Sequence, residues 1–293
     1  MLKVGIFYGF GAAFFFSLMA LSVKLVDLPA QETILARGIV TSILCFIYMR
    51  RQGIHPLGRP ENFKTLIIRG LLGYLALFLY FFSLEKIPLS QAALINSSSP
   101  IFASCIAAFF LREKLSWSNI FTLISGMAGI LVLTGFGSIS DKLSIPWEYW
   151  AASLVSVIVT SSAYNLVRRL ILEGEEPDVI VFCFSFLSIP LSLLLGWYEM
   201  KIPSSLVQWG LLLMVGICAH MGQVFLTRSF ETAKTSEVTG MLYFGNLFSA
   251  IWGVIFFKEE ISLQLILGAV LIIGGQLIPL FLRKVDLSSK QTR

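Results

Sequence analysis

The residues able to do chemistry lie inside long apolar stretches, and their types suit hydrogen bonding to a solute better than bond making. One group is Asn96-Ser97-Ser98-Ser99-Pro100. Proline has no N–H and leaves a carbonyl one turn back without its helical partner, so amide, hydroxyls and bare carbonyl collect at one level. A second group is Tyr243-Phe244-Gly245-Asn246. His220, Gln223 and Thr227 recur at spacings of three and four, which places them on one helical face. Ser153, Ser156, Thr160 and Tyr164 form a similar stripe, and Asn165 beside it suits either face. Lipid does not tolerate such groups, so these faces turn toward a cavity or toward other helices.

The same inventory weighs against an enzyme. The chain has no H-E-x-x-H, no paired mid-span aspartates, no nucleophile with an evident base, and no G-x-x-x-x-G-K-[ST] loop for ATP. Cys45, Cys105, Cys183 and Cys218 are widely spaced and read as small hydrophobes in helix packing. With His55 and His220 they build no recognisable metal site, and no cofactor or metal is expected.

The elements that position these residues are set by composition. Of 293 residues 56% are hydrophobic and 13% charged, against roughly 25% charged in soluble domains, and the mean hydropathy is +0.83. Stretches such as Val4–Val23 and Gly70–Leu84 carry no charge, and each matches a hydrocarbon core about 30 Å thick. Continuous apolar runs exclude an alternating β-barrel, so the fold expected is an all-α polytopic membrane protein. Runs and breakers predict about ten transmembrane helices, over 4–26, 32–50, 64–84, 89–111, 117–136, 147–170, 177–198, 206–228, 235–257 and 262–283. The first reads as an uncleaved span rather than a signal peptide, because no A-x-A site follows it.

Lys and Arg orient the spans. With the N-terminus inside, fifteen of the 22 fall on the cytoplasmic side: Lys3, Arg50, Arg51, Arg59, Lys64, Arg112, Lys114, Arg168, Arg169, Arg228, Lys234, Arg283, Lys284, Lys290 and Arg293. Four face the other side, Lys86, Lys142, Lys201 and Lys258, and Lys24, Arg37 and Arg69 fall within spans. Both termini are therefore expected in the cytoplasm, and a plasma (inner) membrane location follows.

The second half repeats the first at an offset of 146. Ser83-Leu84-Glu85 matches Ser229-Phe230-Glu231, Ser90 matches Ser236, and Glu113-Lys114-Leu115-Ser116 matches Glu259-Glu260-Ile261-Ser262. Gly70 matches Gly216, Gly129 matches Gly275, Tyr74 stands where His220 does, and Pro100 stands where Asn246 does. Five is odd, so successive five-helix copies enter the membrane from opposite sides. The expected organisation is two inverted five-helix repeats, 1–136 and 147–283, with a polar tail at 284–293. Such inversion recurs in alternating-access carriers, where two like units exchange conformations around a midplane site.

These features resemble the drug/metabolite transporter superfamily, EamA-like family. The resemblance rests on Arg37 in helix 2, Arg69-Gly70 opening helix 3, Ser83-Leu84-Glu85-Lys86-Ile87-Pro88-Leu89-Ser90-Gln91-Ala92, Pro100, and Phe110-Leu111-Arg112-Glu113-Lys114-Leu115. Ser229-Phe230-Glu231-Thr232-Ala233 and Phe257-Lys258-Glu259-Glu260-Ile261 carry it in the second half. It implies a central cavity lined chiefly by helices 1, 3, 4, 6, 8 and 9. It also implies a secondary transporter of small metabolites: amino acids, nucleosides, S-adenosylmethionine or related amphipathic solutes. A lipid flippase is the alternative on the same fold, with an intramembrane enzyme third.

The candidate solute contacts are Tyr74, Asn96, Ser97, Tyr164, His220, Gln223, Tyr243 and Asn246, with close helix packing as the competing reading for each. Lys24 and Arg37 are candidate gate or interface charges. Both are within snorkelling reach of the outer interface, with Glu32 or Glu85 as partners for Arg37, and contact with an anionic group is the other reading. Arg69 is expected to anchor at the cytoplasmic interface. Glu113 and Glu259 read as fasteners of helix termini. The partners expected are a small-molecule solute and the lipid bilayer, with a proton or counter-solute open as coupling species and nucleic acid excluded.

Overall fold

The computed structural model describes residues 2–96, 98, 99, 102, 117–133, 145–198, 200–232, 242 and 244–275. Among them are ten α-helical segments. They are α1 (Leu2–Val26), α2 (Ala30–Gln52), α3 (Phe63–Leu84), α4 (Leu89–Asn96) and α5 (Trp117–Leu133), then α6 (Trp147–Leu172), α7 (Pro177–Gly196), α8 (Leu206–Thr232), α9 (Phe244–Phe257) and α10 (Leu263–Ala269). A 3₁₀ turn, Pro60–Asn62, leads into α3, and a π-helical turn, Val270–Gly274, continues α10. The rest of the helix expected over 89–111, and the ends of those expected over 235–257 and 262–283, lie outside the described residues.

Local chemistry sets these boundaries. Helix α2 has Glu32 in its first turn and Arg50 and Arg51 in its last, both matched to the helix dipole. It stops at Gly53, whose φ of 71° allows its N–H to bond the Met49 carbonyl. Helix α7 opens on Pro177, where a missing N–H costs nothing. Helix α10 opens on Ser262, whose side chain accepts from Leu265 N at 3.1 Å.

Among the described residues six helices are long and apolar enough to cross a membrane: Phe7–Val26, Ala30–Gln52, Pro60–Leu84, Trp147–Leu172, Pro177–Gly196 and Leu206–Ser229. Phe244–Phe257 and Leu263–Gly274 are shorter apolar helices. Large side chains such as Phe7, Ile43, Ile68, Ile124, Leu194 and Ile255 are exposed, whereas Ser42, Ser153, Ser156, Ser185, Ser188 and Ser192 are buried. Apolar outside and hydroxyls inside is the arrangement lipid demands. Trp147, Trp197, Tyr198 and Trp209 are also exposed. They sit at the start of α6, the end of α7 and the start of α8, which short connections bring to one end of the bundle, where an aromatic belt belongs.

Helix α1 packs on α8, α2 on α7 and α8, α3 on α6 and α7, α4 on α6 and α9, α1 on α9, and α5 on α10. Small residues allow the approach. A Cβ at Gly38 would come within 3.0 Å of the Ser185 carbonyl, and one at Gly222 within 2.7 Å of the Phe16 ring.

Candidate functional site

Just past α4 the Ser98 N–H bonds the Ile95 carbonyl, three residues back, at 3.0 Å. Residue 100 is proline and has no N–H for the Asn96 carbonyl, and the Ser99 hydroxyl takes that role at 2.5 Å. The Ser161 hydroxyl from α6 lies 2.7 Å from the Ser99 carbonyl and 2.7 Å from its own Val157 carbonyl, its single proton serving one at a time. The Asn96 side chain is half-buried, and Ser97 lies outside the described residues.

Asn246, at the repeat position of Pro100, is buried in α9, and its Nδ2 has no hydrogen-bond partner among the described residues. A buried amide donor left unpaired is costly. Its neighbour Tyr243 lies outside the described residues. The Trp252 indole donates to Ser17 Oγ at 3.2 Å, tying α9 to α1.

Several polar stripes turn out to join helices. Ser156 Oγ donates to the Ala76 carbonyl of α3 at 2.8 Å, and Thr41 Oγ1 donates to the Gly216 carbonyl of α8 at 3.3 Å. His220 Nδ1 lies 3.5 Å from Cys45 Sγ on α2. Thr227 Oγ1 donates to the Gln223 carbonyl of its own helix at 2.8 Å. The Tyr74 hydroxyl donates to Gln31 Oε1 at 2.7 Å. The Gln223 side chain is half-buried. Tyr164, also half-buried, packs with Ala12 and Leu226 and lies within electrostatic reach of Arg69.

The intramembrane charges depart from the expectation of interfacial snorkelling. Arg37 is 0% exposed and Arg69 is 4% exposed. Both turn inward onto one aromatic ring: the Arg37 guanidinium carbon stands 4.5 Å, and that of Arg69 4.6 Å, from the centroid of Phe184 on α7. Glycine makes this possible, because a Cβ at Gly73 would run into the Arg69 guanidinium and come 2.8 Å from the Phe184 ring. A long flexible stem lets an arginine placed near a helix end by sequence reach a buried aromatic face. Glu32 does not neutralise Arg37; it accepts from the Lys201 backbone N–H instead. Phe184 carries no sequence signal beyond apolarity.

Lys24, at the end of α1, donates to the Ile87 carbonyl at 2.6 Å and lies 5.4 Å from the Phe257 ring. Glu259 grips the start of α4 at the same end. Near the basic loops, Glu175 accepts from Arg59 N at 3.1 Å and from Asn62 Nδ2 at 3.1 Å, joining the connections on either side.

Described residues that are helical throughout their long elements, with apolar walls and buried amides, hydroxyls and guanidinium groups between the helices, belong to a polytopic membrane protein built around polar groups that lipid cannot serve. The EamA-like transporter family model matches residues 3–135 and again 147–281, and the chain belongs to that family. It is a membrane transporter. It is 32% identical over 275 residues to the Pseudopaline exporter CntI of Pseudomonas aeruginosa (strain UCBPP-PA14), covering 93% of this chain and 94% of that one. It is 29% identical over 309 residues to human Solute carrier family 35 member G1, covering 98% and 81%. A solved crystal structure matches with a TM-score of 0.70 at 20% identity, over 97% of this chain and 99% of that chain, which establishes a shared fold.

Proposed function

We propose that the protein is a secondary transporter that moves a small metabolite by alternating access between two inverted five-helix halves, 1–136 and 147–283. The observation that carries this reading is the symmetry of the packing. Exchanging each helix with the one five places along turns the α1–α8 contact into α6–α3, α2–α8 into α7–α3, and α1–α9 into α6–α4, while α2–α7, α4–α9 and α5–α10 map onto themselves. Residue detail follows the same offset. Ser83 Oγ donates to Tyr80 O at 2.7 Å, as Ser229 Oγ does to Leu226 O at 2.6 Å. A Cβ at Gly70 would meet Leu187, while Gly216 receives a bond from Thr41, the counterpart of Leu187. Two like units that meet through self-matching interfaces can exchange roles, and that exchange is what moves a site from one face to the other.

Ten spans, cytoplasmic termini and an inner-membrane location accompany the reading, supported by the Lys and Arg bias and the aromatic end. The solute classes are amino acids, nucleosides, S-adenosylmethionine or related amphipathic metabolites. Relatives named as a pseudopaline exporter and, in Vibrio cholerae, a riboflavin transporter fit a soluble cargo. Asn96, Ser97, Tyr243 and Asn246 form the midplane contacts, flanked by Tyr74, Tyr164, His220 and Gln223, with Lys24 at the outer gate.

Reconstituted protein should catalyse counterflow of a labelled metabolite in sealed vesicles without ATP. Movement of labelled lipid but of no soluble metabolite across that panel would replace the carrier with a flippase. Cysteine labelling from either side should place residue 59 and the C-terminal tail on one face, and opposite faces would break the inverted halves.

A further inference from the structure

The two buried arginines present an electrostatic problem that the described protein does not itself solve. Arg37 on α2 and Arg69 on α3 are the bulkiest buried charged groups among the described residues, and they share Phe184 as a neighbour. On each of them Nε and Nη1 are buried with no hydrogen-bond partner among the described residues. Neither forms an ion pair with a described carboxylate. Buried Asp178 lies 3.7 Å from Arg228, Glu175 is taken up by Arg59 and Asn62, and Glu32 accepts from the Lys201 backbone. Cation–π contact with one phenyl ring offsets only part of the cost of desolvating a guanidinium. Two like charges that share one neighbouring ring in a low-dielectric interior add repulsion to that cost. The fork of donors on a guanidinium is matched to planar and tetrahedral oxyanions.

We propose that Arg37 and Arg69, braced on Phe184, form the binding site for an anionic oxygen group of the transported solute, a carboxylate or a phosphate. The site deepens the carrier reading and rests on it for the word "transported", but anion binding itself can be measured without transport. Small side chains are part of the design. Gly73 leaves the space that the Arg69 guanidinium fills, and Gly38, next to Arg37, sits against Ser185 and Ser188. The unpaired donors then find acceptors only when the solute arrives, which couples occupancy to the packing of α2, α3 and α7. Both charges that would neutralise the bound anion come from the first half, and the ring they rest on, Phe184, comes from the second. A loaded and an empty carrier thus differ most where the halves meet.

The test uses the full chain, purified in detergent. Melting temperature is followed against sodium glutamate, malate, citrate and inorganic phosphate, each compared with sodium chloride at equal ionic strength and with neutral glutamine. A saturable rise of several degrees with at least one oxyanion and none with glutamine is expected. A carboxylate response without a phosphate response, or the reverse, names the source. Arg37→Gln and Arg69→Gln should each reduce apparent affinity at least tenfold, and Arg37→Lys should retain part of it. Because removing an unpaired buried cation relieves a penalty, both glutamine variants should melt no lower than wild type without anion, so loss of response is not loss of fold. No oxyanion response beyond chloride, or a full response in the Arg37→Gln, Arg69→Gln double variant, overturns the proposal. Counterflow of neutral solutes that ignores both substitutions would sink the anion site and leave the carrier standing. Oxyanion binding with no movement of any solute would do the opposite.

Discussion

Glu259 and Ser90, 169 residues apart, are joined by the hydroxyl of Ser90, which donates to Glu259 Oε2 at 2.6 Å. The same carboxylate accepts from the backbone of Ser90 at 3.2 Å and, through Oε1, from that of Leu89 at 2.6 Å. These are the first N–H groups of α4, which have no partner inside the helix and lie at its positive end. A residue after α9 therefore caps a helix of the other half. Charge-assisted bonds of this kind contribute about 1.5–3 kcal/mol each, so the contact ties the start of α4 firmly to the segment after α9. In a background without native cysteines, Gln91→Cys should react roughly tenfold faster or more with a membrane-impermeant maleimide once Glu259→Ala is added, since about 1.4 kcal/mol is a factor of ten. Equal rates with and without the carboxylate would show that the clasp does not restrain the end.

Lys24 grips the other side of the same turn. Its Nζ donates to the Ile87 carbonyl at 2.6 Å and approaches that of Leu84 at 3.4 Å. The carbonyl end of α3 is its negative end, so a cation there and a carboxylate at the start of α4 are each matched to the dipole they meet. Both act on residues 84–90, so the two substitutions should not add. Melting temperatures of Lys24→Met, Glu259→Gln and the pair should show a coupling of about 0.5–2 kcal/mol, the double variant losing less than the singles together. Additive losses would mean two independent contacts.

How far this was legible in the sequence differs by element. Apolar runs bounded by charge and proline locate α1, α2, α3, α6, α7 and α8 to within a few residues, because lipid leaves helices no other way to pair their backbone. Glu259 could be read as a fastener because its type recurs at the repeat offset at a helix connection. The partner it fastens could not, since Ser90 lies in the other half and nothing in a linear pattern names a contact at that separation. Arg37 and Arg69 were visible as charges in spans. Their convergence was not, because an arginine stem reaches several ångströms along a helix in either direction, and the receiving ring, Phe184, looks like any other apolar residue. His220 and Ser156 were legible as polar, but their pairing with Cys45 and the Ala76 carbonyl is a matter of helix rotation that hydropathy does not record.

Gly129 and Gly275 occupy matching repeat positions and face each other's helices. A Cβ on Gly129 would sit 2.6 Å from Ile272 Cγ1 and 3.0 Å from the Gly268 carbonyl, and one on Gly275 would sit 2.6 Å from Ser125 Cβ. The Ser125 hydroxyl also donates to the Leu271 carbonyl at 2.6 Å, within the π-helical turn. Backbone on one side of the contact leaves little to yield, so Gly129→Ala and Gly275→Ala should each destabilise by about 1–3 kcal/mol. Gly210 in α8 meets nothing within 4 Å, and alanine there should instead stabilise by about 0.5–1 kcal/mol. Thermal melts of the three variants check this contrast; a Gly210→Ala loss as large as the others would mean helix propensity and space are not what separates them.

Asn246 offers the clearest separation of binding from folding. Its side chain is buried and its Nδ2 has no partner among the described residues. If the amide served packing, truncating it would remove contacts and lower the melting temperature. If it waits for a solute, truncation removes an unpaired donor whose burial costs about 1–3 kcal/mol, and the empty protein should be no less stable. Asn246→Ala is therefore expected to melt at or above the wild-type temperature while the half-saturating solute concentration for counterflow rises about tenfold, the loss of one buried hydrogen bond to the cargo. Asn246→Asp keeps the shape, exchanges the donor for a charge, and should lower uptake further for an anionic cargo than for a neutral one. A variant that melts lower and transports with unaltered kinetics would return Asn246 to the packing between α9 and α1, and the midplane contacts would have to be sought elsewhere.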